Sequence, residues 1–234
     1  MPSTPRRRRS RIRFAALLLV AVEIPLFAGL LVAQVADPTP ARAAGDHAFL
    51  NQAADGAPVT WDPCSPVGYV VDWTDAPDGA LALVTDAVAT VEEATGLTFT
   101  ALGSTQLRPD QGGATDPLPG GAEVLVSWVP TAQDELFAAG EAIGWARPMV
   151  VGGRSGGQVY GRGQVVLDAG WFADASPARA RGVLLHELGH LVGLDHVEDP
   201  SQLMDAGGSL GREYQQGDLE GLARLGPLAG PRCS

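Results

Sequence analysis

The sequence predicts an α+β fold, and three observations carry that prediction. Residues 67–73 (Val-Gly-Tyr-Val-Val-Asp-Trp) and 123–129 (Glu-Val-Leu-Val-Ser-Trp-Val) are short runs rich in β-branched and aromatic side chains, bounded by turn formers. Residues 80–94 place Leu81, Val84, Val88 and Val91 at helical spacing and stop at Gly96. A second helix is predicted from Pro177, whose ring suits a first helical turn, to about Val192.

The other elements follow in order. Residues 97–102 alternate as a strand, 108–121 form a Pro/Gly/Asp loop, and 123–129 are apolar enough for a buried strand. Strands are expected at 143–151 and 158–167, with Gly152, Gly153, Gly156 and Gly157 between them as a hairpin or open loop. A last short helix is read over 218–225, with Asp218 as its N-cap. No internal repeat is visible.

The 234 residues suit one domain and an N-terminal extension. Arg6, Arg7, Arg8, Arg9, Arg11 and Arg13 precede a stretch from Phe14 to Ala36 broken only by Glu23 and Gln34. Residues 1–43 are therefore read as a signal peptide, with Ala41-Arg42-Ala43 as a small-residue cleavage site, or as an N-terminal membrane anchor. Both readings place the remainder outside the cytoplasm, secreted or tethered to the membrane by that segment alone. Residues 44–60 read as a flexible linker rich in Ala, Pro, Asp and Gly, and 61–234 as the folded domain.

Seven of the sixteen basic residues lie before position 44, against two of the twenty-seven acidic ones, so the remainder carries a formal charge of -16. That balance argues against nucleic acid as a partner. Cys64 and Cys233 are the two cysteines, near the ends of the domain. Export permits a disulfide between them, and the alternative is a free thiol.

His186-Glu187-Leu188-Gly189-His190 sets two imidazoles four residues apart, on one face of a helix, where both can bind one metal ion. Glu187 lies beside the first ligand and is placed to act on a water held at that ion, as a general base. Gly193 suits the sharp turn that ends the helix and returns His196 to the metal. Three histidines leave a tetrahedral zinc one open position, the mark of a catalytic site, and the chemistry implied is hydrolysis of a peptide bond by a zinc-bound water.

His186-Glu187-x-x-His190-x-x-Gly193-x-x-His196 matches the metzincin signature, and the whole stretch resembles the matrixins among zinc metalloproteases. Ser201-Gln202-Leu203-Met204 resembles the methionine turn beneath the zinc site of that family, and 217–222 resemble its C-terminal helix. The resemblance covers residues 61–228 and is strong over 186–204. It implies a mixed, mostly parallel twisted sheet of about five strands, two long helices packed on it, and a small C-terminal part below the cleft. It further implies an edge strand around 140–151 that binds substrate backbone by strand addition.

Two departures stand out. Asp205 and Ala206 follow Met204 where matrixins have tyrosine and proline, which bears on the specificity pocket. Only His47 remains outside the motif, so a single catalytic Zn2+ is expected, and His47 is read as a solvated linker residue. Calcium at 152–157 is a lesser alternative, since that loop holds no acidic residue. Asp195 is assigned either to orienting a ligand histidine or to a hydrogen bond within the turn. Trp128, Trp145 and Trp171 are assigned to packing. The function expected is that of an exported, monomeric zinc endopeptidase acting on peptides or proteins. The competing class is an exported zinc-binding surface-interaction protein without peptidase activity.

Overall fold

Val124-Leu-Val-Ser-Trp-Val129 is buried at every position because it runs through the middle of a sheet covered on both faces. The computed structural model describes residues 47–109, 117–153, 157–207 and 211–227. In chain order the elements are β1 (Ala48–Phe49), β2 (Thr60–Trp61), β3 (Val67–Asp72), α1 (Ala80–Thr95) and β4 (Phe99–Thr105). Next come β5 (Val124–Val129), α2 (Glu135–Ala139), β6 (Gly144–Gly152) and β7 (Gln158–Asp168). The chain continues through α3 (Ala169–Asp174), α4 (Pro177–Val192), β8 (Leu194–Asp195) and α5 (Gln216–Ala223).

Among the described residues the main sheet has six strands, parallel in its β4, β3, β5, β7 and β2 pairings, with β6 antiparallel to β7. β7 is therefore flanked on one side by β6 and on the other by β5 and the short β2. Alternation divides the central strands between two cores. Val71, Val124, Val126, Trp128, Val165 and Leu167 face the long helices, where Val84, Val88 and Val91 of α1 and Leu184, Leu188 and Leu191 of α4 meet them. Val70 and Leu125 pack under Leu118 on the other face, and Val129 and Val166 pack with Phe137 and Trp145.

The α+β architecture, the mixed sheet and the two long helices agree with the sequence expectation, and Trp128 is fully buried against Trp73 and Phe172. Three expectations are corrected. Residues 47–60 do not form a flexible linker: β1 pairs with β8, Leu50 N–H donates to the Gly193 carbonyl at 2.9 Å, and Val59 is buried. His47 accordingly packs on Phe49 and contacts Arg224 at 3.0 Å instead of standing in solvent. The last helix begins earlier than its pattern suggested, with Gln215 as N-cap and Asp218 closing the capping box from the third helical position.

The arginine-rich and apolar N-terminal segment, Cys233 and Gly156 lie outside the described residues, and so do the central positions of the loop considered for calcium. Among the described residues no helix is long and apolar enough to cross a membrane.

Candidate active site

α4 forms the spine of the site. Pro177 opens it at the first turn, and from Gly182 onward nearly every residue is buried, since the helix lies between the sheet, α1 and the C-terminal segment. His186 and His190 stand one turn apart on the face that looks toward β6, their ring centroids 4.8 Å apart.

Gly193 ends the helix with φ 122°, its N–H donating to the carbonyls of Gly189 and His190. That φ favours glycine, and a Cβ there would also meet the Tyr160 ring at 3.0 Å and Leu225 at 3.1 Å. The chain reverses into β8, which β1 clamps, and the reversal delivers His196.

The three imidazoles converge. His196 Nε2 lies 3.1 Å from His186 Nε2 and 3.2 Å from His190 Nε2, and all three ligand atoms fall within 4.8 Å of one another. Three corners of a tetrahedron around zinc, with Zn–N bonds of about 2.0–2.1 Å, stand about 3.3–3.4 Å apart, so the donors fit that ion. Tautomers also fit. His186 Nδ1 donates to the Leu203 carbonyl and His190 Nδ1 to the Leu194 carbonyl, both at 2.8 Å, which leaves each Nε2 lone pair directed at the shared point. Asp195 accepts the His196 backbone N–H at 2.8 Å, a bond within the turn.

Burial sets the protonation states. Desolvation holds His186 down at about 4 and His190 at about 3, despite the opposing pull of the carbonyls they donate to, so both are neutral and able to ligate at physiological pH. Desolvation pushes Glu187 up to about 8. Its carboxylate lies under the sheet edge: a Cβ on Gly144 would stand 2.9 Å from Glu187 Oε1, so only glycine leaves this space open.

Glu187 and the histidines line a cleft of about 540 Å³. One wall is residues 141–146, running into β6, whose other edge has no strand beside it among the described residues. The opposite wall is Gly182 and Val183 of α4 with Leu203, Asp205 and Ala206, and Leu50 also lines the cleft.

The floor is fastened from below. Met204 is 1 % exposed, with its sulfur against Gly189, between the two helical histidines in sequence. Tyr214 donates its hydroxyl proton to the Leu185 carbonyl at 2.5 Å. Asp218 accepts from the backbone N–H groups of Leu203, Met204 and Gln215, while Gln202 Oε1 accepts from those of Gly217 and Asp218.

All four predicted site residues, His186, Glu187, His190 and His196, thus come together. Sequence reasoning missed Leu50, Gly144 and Asp218 in these roles. Asp205 and Ala206, which follow Met204 where matrixins have tyrosine and proline, line the cleft. Trp145 is buried as expected, with its indole N–H on Asp134 at 2.9 Å, and it also borders the cleft.

No protein-family model matches the chain, and no curated protein shows significant sequence similarity to it. Among solved structures it is similar to an archaemetzincin from Methanopyrus kandleri, with 18 % identity, 68 % of this chain and 93 % of that one covered, and a TM-score of 0.46. It is also similar to high choriolytic enzyme 1, a hatching-enzyme zinc protease of the medaka Oryzias latipes, with 18 % identity and a TM-score of 0.26. That alignment covers 63 % of this chain and 50 % of the hatching enzyme.

Proposed function

We propose that this protein is an exported zinc-dependent endopeptidase of the metzincin type, matrixin-like in its motif. The observation that carries the reading is the meeting of three imidazole Nε2 atoms with a buried carboxylate in an open cleft beside a sheet edge. His186, His190 and His196 would hold the ion, and Glu187 would serve as general base. The leader-like segment at residues 14–36 is the ground for export.

Zinc, when bound, supplies Lewis acidity that makes a water acidic near neutral pH and polarises the carbonyl under attack. The chain does the rest. Leu203 and Leu194 hold the two helical imidazoles in the ligating tautomer. Glu187, held in the gap that Gly144 leaves, takes the proton of the attacking water and passes it to the leaving amine. Its raised affinity for a proton suits that carrier role, and a positive charge held by the imidazoles favours the ionised form needed to begin. The open edge of β6 offers backbone N–H and C=O groups to an extended peptide, which the strand would bind as one further strand.

The test is hydrolysis of a mixed peptide library by the purified chain, with and without a chelator, beside Glu187→Gln and a zinc determination. Expected are one zinc per chain, chelator-sensitive cleavage, and loss of cleavage by about 10²-fold or more in Glu187→Gln with zinc retained. One bound zinc with no cleavage of any peptide would point instead to a zinc-binding surface protein.

A further inference from the structure

β6 turns the backbone groups of every second residue toward its open edge, and two hydrogen bonds fix which ones. Asp168 N–H donates to the Ile143 carbonyl at 3.1 Å, so the Ile143 backbone turns toward β7. Gly163 N–H donates to the Glu123 carbonyl at 2.9 Å, so Gly163 turns toward β5 and its antiparallel partner Pro148 turns away from β7. The register between these two points is unbroken, from the pair Gly144 and Leu167 to the pair Pro148 and Gly163, and antiparallel pairs alternate. The backbone groups of Gly144, Ala146 and Pro148 therefore point outward, where among the described residues no strand lies beside them.

These three positions are not equivalent. Gly144 and Ala146 each present an N–H and a C=O, whereas Pro148 has no N–H and sets its ring where the donor would be. Gly144 and Ala146 both line the cleft, and Gly144 stands against the Glu187 carboxylate. Along β6 the lining ends at Ala146. Just beyond Pro148 the register shifts between Met149 and Val150, with Gly161 of β7 left unpaired, and such an irregularity adds local twist and ends pairing. A strand laid along this edge from Gly144 finds two complete residues to pair with, then a proline and a twist.

We propose that Pro148 determines how much of a substrate is recognised: backbone pairing along β6 is confined to Gly144 and Ala146, so a peptide is held there through about three residues and is not read further. The proposal rests on the peptidase reading above and narrows its substrates to extended peptides, short ones included. Chain beyond the Pro148 position adds nothing to recognition.

The experiment gives the zinc-loaded full chain, and its Pro148→Ala variant, peptides that share one bond and are lengthened residue by residue on each side. In the unaltered chain kcat/KM should level off after about three residues on the side that lies along β6. Pro148→Ala restores an N–H, and lengthening that side to about five residues should then raise the ratio of long-peptide to short-peptide kcat/KM by about 2- to 10-fold, the worth of one further backbone hydrogen bond. Binding gives a second readout: in zinc-loaded Glu187→Gln, peptide affinity measured by calorimetry should show the same dependence on length and the same change on adding Pro148→Ala. If Pro148→Ala fails to fold, methylation of single peptide nitrogens in the substrate decides. A methyl on a nitrogen facing Gly144 or Ala146 should lower kcat/KM by about 10-fold, and one facing Pro148 by less than about 2-fold. A kcat/KM that keeps rising past the third residue on both sides, a length dependence that Pro148→Ala leaves as it was, or an equal methylation penalty at all three positions overturns this proposal alone. Zinc without any cleavage overturns the peptidase reading and this proposal together.

Discussion

Asp218 and His186 meet through one residue: the Asp218 carboxylate accepts the Leu203 N–H at 2.7 Å, and the Leu203 carbonyl accepts the Nδ1–H of His186 at 2.8 Å. Since Asp218 also takes the N–H groups of Met204 and Gln215, its loss would strand three donors, two of them on buried residues. Asp218→Ala is expected to destabilise the chain by about 2–4 kcal/mol and to weaken zinc binding about 10- to 100-fold. Thermal melts and competition against a chelator read the two effects separately. Unchanged zinc affinity in the folded variant would mean that Leu203 holds its place without Asp218.

Gly144→Ala places a methyl group 2.9 Å from Glu187 Oε1, where nothing of that size fits. Neither His186 nor His190 is in its path. The variant should therefore keep its zinc and lose kcat by about 10²-fold, through displacement of the base. A variant with normal kcat would show that Glu187 has room to move and that the contact with β6 does not position it.

In the metal-free chain the site titrates in two opposed directions. His186 and His190 fall from 6.5 to about 4 and about 3 through burial, so below pH 6.5 the unfolded chain binds more protons than the folded one. Their contribution to stability is whole above pH 6.5 and is lost on acidification. Glu187 rises from 4.5 to about 8, so its contribution is whole below pH 4.5 and is lost as pH climbs toward 8. Two imidazoles outweigh one carboxyl on the acid side, and the combined contribution peaks at about pH 6.5. Melts of the chelated protein across about pH 4 to 9 should show this maximum, and Glu187→Gln should flatten the alkaline limb and steepen the acid limb above about pH 4.5.

Metal removal should lower stability as well as activity, because the three imidazoles converge only in the folded chain. At free zinc about a thousandfold above its dissociation constant the ion adds about 4 kcal/mol, or about 10 °C in Tm for a domain of this size. A melt with and without chelator near neutral pH checks it. Equal Tm values with zinc shown to be bound would mean that the unfolded chain holds the ion equally well.

Much of the fold was legible because its signals are local. The periodicity of α1, the apolar run of β5, and Gly96 and Gly193 as helix ends are read from neighbouring residues, and the structure places them within a residue or two of expectation. Residues 47–60 were misread for the opposite reason. Their composition resembles a linker, and their order comes from pairing with β8 across more than a hundred residues of sequence. Asp218 was misplaced by one helical turn because the capping signal of Gln215 is weaker than that of aspartate, and the bonds to Leu203 and Met204 are invisible along the chain.

The sequence by itself determined which chemical groups meet at the site. The spacing of His186, Glu187 and His190 is set by the helical repeat, and Gly193 has the backbone freedom that returns His196, so their meeting follows from local geometry. Tertiary structure alone decided what surrounds that chemistry: the gap at Gly144 that seats Glu187, the clamp of β1 on β8, the grip of Asp218 on Leu203, and the entry of Asp205 into the cleft wall. The physical reason is distance along the chain. Contacts within a few residues are encoded in spacing, whereas those that shape the cleft join segments that become neighbours only when the sheet and the two long helices close around one core.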